Sequence, residues 1–557
     1  MDRKLLFKII LLTGVLCAGF SIFAQTPYNI VMNIYDDPKT KMAFNWFTTS
    51  NTTGEQIQIS IGTGAFTPFI TVACNRTTTP TNVHKAVVTG LTPNTTYSFR
   101  VGKAGLWSSI GTFTTAKDNK DDFSFIYVTD SQIGNNINML TTNAQAAFTK
   151  YPNTRFWLHC GDLTSYGDSL NHWNRFFEKQ QNYFYHFPFA PIMGNHDAQS
   201  VTNFKQHLNL HCPSFDSFGS TYTFIYGDAQ FFAINSEQWI GYSDILNSAY
   251  ITALKNWMST EVAAHQDIKW RIVYYHKSIY TGAYEEQNEP RCAVWHNAMA
   301  PFFDDLNIDL ALQGHSHIYD VIGPVYNINT VQGSVSGVST VNEVFPKNAS
   351  SKSGGFFSVQ KGTLYFTNGT FGNSFFYPFL LTVMPGSAFP FIPHYYSLMT
   401  GRYGQTSKST YSNISVSTSS ITISTYEVID STTSQLLDQI MLVKYCATTT
   451  DEPGSQVIAT SQTWNTNKTI TNNIVVPLGV TLTITATAFF STYKITVKCG
   501  GKLVVSGGTI DDGNVIIQGG GKLILSNNGI ISLGNYDNLE IHLGAEYDVG
   551  LGEILLK

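Results

Sequence analysis

At 557 residues the chain is longer than one hydrophobic core organises, so several domains are expected. Its composition, 43% hydrophobic, 14% aromatic and 13% charged, excludes a disordered or fibrous protein. A formal charge of −5 with no basic block excludes the electrostatic footprint of a protein that binds a nucleic-acid polymer.

Residues 1–24 read as an export signal. Arg3, Lys4 and Lys8 give a positive start, an apolar run extends through Phe23, and Ala24 before Gln25 suits cleavage. The alternative is an uncleaved anchor, since Leu5 to Phe23 nearly reaches spanning length, but Gly14 and Gly19 interrupt the run. Leu16 before Cys17 does not suit lipidation. The expected location is therefore the periplasm, the cell surface or the extracellular medium. Cys74, Cys160, Cys212, Cys292, Cys446 and Cys499 remain after cleavage, scattered and without a CxxC zinc pattern. Cys160 is expected to be a buried thiol. A Cys212–Cys292 pair is conceivable, and the pairings stay open.

Residues 25–117 alternate short apolar strands with turn residues, the spacing of a small β-sandwich. Trp46 is expected in its core. From 118 to 447 strand candidates such as Phe123–Thr129, Phe156–Cys160, Phe189–Met193, Trp270–Tyr275 and Ile308–Leu312 alternate with helical patterns. Residues 170–184 and 248–264 are the clearest helices. This is a layered α/β domain, with its chemistry expected at the strand ends. From 448 to 557 no helical period survives. Units beginning at Gly479, Gly501, Gly521 and, more weakly, Gly544 predict a repetitive all-β, solenoid-like region suited to surface display or attachment. An ordinary sandwich with similar hairpins is the alternative.

Five pieces of the middle region each follow an apolar strand. They are Asp130-Ser131-Gln132, Gly161-Asp162, Gly194-Asn195-His196-Asp197, Val273-Tyr274-Tyr275-His276 and Gly314-His315-Ser316-His317. Singly, each has an ordinary explanation as a turn, cap or core residue. Together they offer the oxygen and imidazole groups that hard and borderline cations prefer.

The order DxQ, GD, GNHD, VxxH and GHxH resembles the calcineurin-like metallophosphoesterases, and within them the purple acid phosphatase type. Residues 91–97, LTPNTTY, resemble the tyrosine corner of fibronectin type III-like domains, and those enzymes also carry a fibronectin-like domain first. The likeness covers about residues 27–445. It implies a four-layer α/β domain holding two metal ions, with Fe, Mn and Zn all open as their identity. Asp162 would bridge them, Asp130 and His317 would hold the first, and Asn195, His276 and His315 the second. His196 would stand beside the phosphate, with Asp197 orienting it. Such enzymes attack phosphorus with a metal-activated hydroxide.

Two positions depart from the pattern. The tyrosine that follows the bridging aspartate by three residues in purple acid phosphatases is replaced by Ser165, with Tyr166 one residue late. Gln132 stands where many metallophosphoesterases have histidine. Gln132 and Tyr166 are thus alternatives for one coordination position. Candidate pocket walls are Ser278–Arg291, with Arg291 approaching GHxH, and Asn368–Tyr377.

The expected activity is hydrolysis of small phosphate monoesters outside the cytoplasm. One alternative is a phosphodiesterase acting on nucleotides or lipid head groups. Another, of a different class, is an adhesion or carbohydrate-binding protein with the phosphoesterase domain as scaffold.

Overall fold

The computed structural model describes residues 26–556 apart from 326–354, 373–398 and breaks of eight residues or fewer. The export signal expected at residues 1–24 lies outside the described residues. Among the described residues no helix is long and apolar enough to cross a membrane.

The N-terminal strands bury alternate residues between two sheets, as period-two patterning requires. Ile30, Met32, Phe44 and Trp46 from one sheet meet Ile57, Ile59, Phe99 and Phe113 from the other. Trp46 is fully buried, as its size and apolarity led us to expect. The Thr92 amide donates to the Tyr97 hydroxyl at 2.8 Å, tying the chain back on itself at the corner.

One feature departs from a sandwich that stands apart. Tyr28–Asn33 pairs with the parallel strand Phe189–Pro191 of the next region through Asn33 and Phe189. The N-terminal sheet is therefore one end of a continuous 11-stranded sheet. Asn33 bonds the Phe189 carbonyl at 3.0 Å and accepts the Asn209 amide at 2.9 Å. His207 closes the same junction, stacked on Trp173 and Phe177 and touching Phe47.

The central region is built from that sheet and a seven-stranded one. In Phe123–Val128, Phe123, Phe125 and Tyr127 face the second sheet, and Ile126 and Val128 face helices. Burial on both faces explains the nearly continuous apolar run of this parallel strand. Helices Asn138–Lys150 and Leu170–Phe184 cover the first sheet through Leu140, Phe148, Trp173, Phe176 and Phe177. Ser248–Ala264 and Pro290–Asp305 cover the second through Leu254, Met258, Trp295 and Phe303. The result is four layers, helix–sheet–sheet–helix. Phe123–Val128, Trp157–His159 and Phe189–Pro191 are parallel neighbours. So are Ala229–Ala233, Trp270–Tyr275 and Leu310–Gln313.

Beyond residue 455 the chain winds into a β-solenoid, with three parallel five-stranded sheets each gaining one strand per coil. Thr481–Ile484, Lys502–Ser506 and Lys522–Ser526 stack in register, so Leu482, Leu503 and Leu523 form one buried ladder. The recurring glycines at 479, 501 and 521 precede these strands. The coils dock on the central region, where Cys499 packs against Val443 and Lys522 pairs with Asp122. Cys499 is disulfide-bonded, whereas Cys160, Cys212 and Cys292 are free thiols. The conceivable Cys212–Cys292 bridge is thus not formed, and Cys160 is fully buried as expected.

Candidate metal centre

Each motif begins where a parallel strand ends, and the two sheets bring these ends together. Asp130, Asp162, His315 and His317 all adopt left-handed backbone, with φ of +52°, +54°, +72° and +49°. Each such residue costs about 1 kcal/mol or more, and clustering of the strain marks a functional site. The motif glycines permit the close approach. A side chain on Gly194 would lie 2.2 Å from the Asp162 amide nitrogen, and one on Gly314 2.3 Å from Thr129 Oγ1.

Asp130, Asp162 and His276 are buried and present ligand atoms within 4.8 Å of one another. His317 Nε2 lies 3.1 Å from Asp130 Oδ1. His276 Nε2 lies 3.0 Å from Asn195 Oδ1 and 3.4 Å from Asp162 Oδ1. The other His276 nitrogen, Nδ1, is spent on the Cys160 carbonyl at 2.8 Å. Nδ1 therefore carries a proton, and Nε2 faces two oxygens, an arrangement that a second proton or a bound cation makes favourable.

The electrostatics agree. Burial alone would lower the His276 pKa, but the Asp162 charge and hydrogen bond prevail, helped by Asp130 and Glu237, and push it up to about 10. Burial likewise favours a neutral Asp130, yet His317 and His276 outweigh it and hold the carboxyl below its ordinary value. Asp162 is lowered further, with His276 and His196 overcoming its burial. The centre is short of positive charge, and its donor set fits hard or borderline cations.

A second group joins Glu289, Cys292 and His315, again with ligand atoms within 4.8 Å. His315 Nε2 lies 2.6 Å from Glu289 Oε2 and 3.1 Å from Lys277 Nζ. The buried Lys277 ammonium rests 2.7 Å from Glu289 Oε1. The residues present thus form two candidate metal-binding clusters, consistent with a dimetal cofactor of unspecified identity.

Gln132 is 7% exposed and reaches Asp162 Oδ2 at 2.6 Å through its amide nitrogen. Tyr166 is not brought to the cluster. It is 58% exposed, with its ring edge-on to His172. His196 is partly exposed; its Nδ1 bonds the Ser165 carbonyl at 2.7 Å, and Nε2 lies 3.9 Å from Asp162 Oδ2.

Asp197 was expected to orient His196 and does something else. Its carboxylate accepts the amides of Leu163 at 3.1 Å, Thr164 at 3.1 Å and Gly194 at 3.0 Å, and pins the GD and GNHD loops together. With both oxygens so occupied, the Ser165 carbonyl is left to fix His196. Arg291 turns away from GHxH, paired with Asp244 at 3.0 Å and lying over Trp239. Asn368 and Phe371 are buried rather than lining a pocket, and residues 373–377 lie outside the described residues.

Sequence reasoning passed over Lys277, named Cys292 only as a conceivable disulfide partner and held Glu289 only within the candidate pocket wall Ser278–Arg291. The available signals were a charge directly after an apolar strand and an acid just before a helix-starting proline, Pro290. Neither signal says what the side chain meets.

Fold and site together define a metallophosphoesterase domain. Residues 124–319 match the calcineurin-like phosphoesterase family, and residues 27–115 match the purple acid phosphatase N-terminal domain. The chain therefore carries a calcineurin-like metallophosphoesterase domain behind a purple-acid-phosphatase-type N-terminal domain. An uncharacterized protein of Mycobacterium tuberculosis is 23% identical over 323 residues, 51% of this chain and 60% of that one. Acid phosphatase type 7 of Danio rerio is 22% identical over 278 residues, 45% of this chain and 60% of its own. The chain thus spans about 60% of the length of these relatives. A purple acid phosphatase from yellow lupin (Lupinus luteus) seeds shares the fold over 75% of each chain, with a TM-score of 0.55 at 13% identity.

Proposed function

We propose that this chain is an exported dimetal phosphoesterase that hydrolyses small phosphate monoesters. The observation that carries the reading is the buried convergence of Asp130, Asp162 and His276, with Nε2 of His276 aimed at oxygen ligands.

In this reading Asp162, whose carboxylate has two oxygens, would hold both metals. Asp130, His317 and Gln132 would serve the first; rotating the Gln132 amide would present Oε1 in place of the nitrogen. Asn195, His276 and His315 would serve the second. Iron, manganese and zinc all suit these donors, and two such ions supply Lewis acidity and lower the pKa of water. The Cys160 carbonyl fixes the tautomer of His276, as partners behind a ligand commonly do. His196, held by the Ser165 carbonyl, keeps Nε2 toward the centre, where it protonates or stabilises the departing alkoxide. Asp197 holds the two loops carrying Asp162 and Asn195 in register and contacts no substrate.

Export rests on the pattern of residues 1–24, and attachment through the C-terminal coils rests on their separation from the site. The N-terminal sandwich reads as fibronectin type III-like, supported by the Tyr97 corner.

The test compares a phosphomonoester with a matching diester on mature protein loaded with iron, manganese or zinc, beside Asp162→Ala. Metal-dependent monoester turnover lost in the variant is the expected result. Dominant diester turnover would change the substrate class, and absence of turnover with every metal in folded protein would overturn the reading.

A further inference from the structure

We infer that Tyr166 is a stacking platform at the rim of the catalytic centre, selecting phosphate monoesters whose leaving alcohol carries a flat aromatic ring. The inference rests on the proposed phosphoesterase reading and adds to it the class of leaving group.

The backbone holds Tyr166 astride His196. On one side the Ser165 carbonyl bonds His196 Nδ1 at 2.7 Å, and on the other the Gly167 amide donates to the His196 carbonyl at 3.1 Å. The Gly167 carbonyl in turn accepts Trp173 Nε1 at 2.8 Å and Asn203 Nδ2 at 2.9 Å. The Ser169 amide donates to the Tyr166 carbonyl at 3.1 Å. A side chain on Gly167 would collide with the His196 and Asp197 backbone, so only glycine lets the loop lie this close. The chain is thus pinned on both sides of Tyr166, while the Tyr166 ring itself is left out of the packing.

Of the described Phe, Tyr and Trp side chains in the central region it alone is exposed, at 58%. A ring on a loose loop can fold back onto the surface, whereas a ring on a pinned loop keeps its place and its open area. His172 meets it edge to face, with centroids 5.1 Å apart and planes at 82°. Such a contact steadies the ring and occupies one of its faces at most, so a face stays open for offset stacking.

In the proposed reaction His196 protonates or stabilises the departing alkoxide, so the group beyond that oxygen lies against the loop that carries Tyr166. A flat ring placed there loses contact with water as it stacks, and a saturated ring of the same size cannot lie flat on the tyrosine. Tyr166 therefore reads the group that leaves, and the metal-binding residues hold the group that is attacked. The tyrosine gains a use outside the coordination position that it does not reach.

The experiment compares benzyl phosphate with cyclohexylmethyl phosphate, whose alcohols are similar in size and acidity, on manganese-loaded full-length protein. Binding of the two matching phosphonates is measured beside it by calorimetry. Tyr166→Ala should lose about tenfold in kcat/KM on benzyl phosphate and in affinity for benzylphosphonate, against about twofold or less on the saturated pair. Tyr166→Phe, which keeps the ring, should keep the preference. A nucleoside 5′-monophosphate separates a ring on the alcohol itself from a base held beyond a sugar. Loss on either aromatic ester supports the platform, and loss on neither overturns it. Equal losses on aromatic and saturated esters would mean that the loop acts only by positioning His196. A Tyr166→Phe variant as impaired as Tyr166→Ala would mean that the hydroxyl carries the role. Each of these two results overturns the platform. Phosphonate selectivity that Tyr166→Ala abolishes, in protein that turns over no ester, leaves the platform standing and sinks the phosphoesterase reading instead.

Discussion

The central region and the C-terminal coils both rest on parallel strands with buried aliphatic side chains, yet they do opposite things with strand ends. In the central region the ends of five strands converge, and Asp130, Asp162, Asn195, His276 and His315 meet there. In the coils each strand ends at a corner, and the next coil repeats it one strand spacing away, so the Leu482, Leu503 and Leu523 ladder extends without converging. Among the described residues the candidate metal-ligating groups lie in the central region alone. Parallel pairing builds either a site or a stack, and the connections decide which. Crossover helices bring ends together, and tight corners keep them apart.

That contrast can be broken at either side. The largest effect is expected for Leu523→Ala, which opens a cavity in a fully buried ladder and should cost about 3 kcal/mol of the coils' stability. Thermal unfolding should then show an earlier transition for the coils, with metal-dependent turnover retained; loss of both together would mean the regions fold as one unit. Gly314→Ala does the reverse. Its new methyl group would stand 2.3 Å from Thr129 Oγ1 and 2.9 Å from His276 Nδ1. A displacement near 1 Å at the centre should lower kcat/KM about a hundredfold, while the coils' transition stays in place.

The smallest effect is a pH dependence. Burial lowers the His207 pKa to about 3 and that of His296 to about 4. Between these values and about 6.5 the unfolded chain binds more protons than the folded one. Stability should therefore fall as pH is lowered through that window and level off below it, by about 1–2 kcal/mol after partial relaxation. The coils beyond residue 455 contain a single histidine, His542, so their transition should move less. His207→Gln should flatten the slope of the central transition, and an unaltered slope would place the acid sensitivity elsewhere.

Much of this was legible in the sequence because it repeats with a short period. Helices at 170–184 and 248–264, the strands before each motif and the coils' glycine spacing all announce themselves within twenty-odd residues. The ligand candidates were legible for another reason: unrelated polar residues in a fixed order at strand ends rarely arise from turn chemistry. Long-range partners were not legible. The continuity of the N-terminal sheet with the central one rests on a single pairing of Asn33 with Phe189, which leaves no pattern in either segment. Asp197 reads as a partner for its neighbour His196, yet its carboxylate is taken by amides more than thirty residues upstream as well as by Gly194. Lys277, Glu289 and Cys292 come from the end of one strand and the start of a helix, and only the fold makes them neighbours.

The solenoid has a metric consequence. Because every coil adds one strand to each of three sheets, the region lengthens by about 4.8 Å for each twenty-odd residues. Duplicating or deleting a whole coil changes its length and little else, whereas one extra residue inside Phe123–Val128 would swap its two faces and scramble the core. Reach can thus be retuned in whole steps while the chemistry stays fixed: the stack is a ruler whose unit is a single turn of chain.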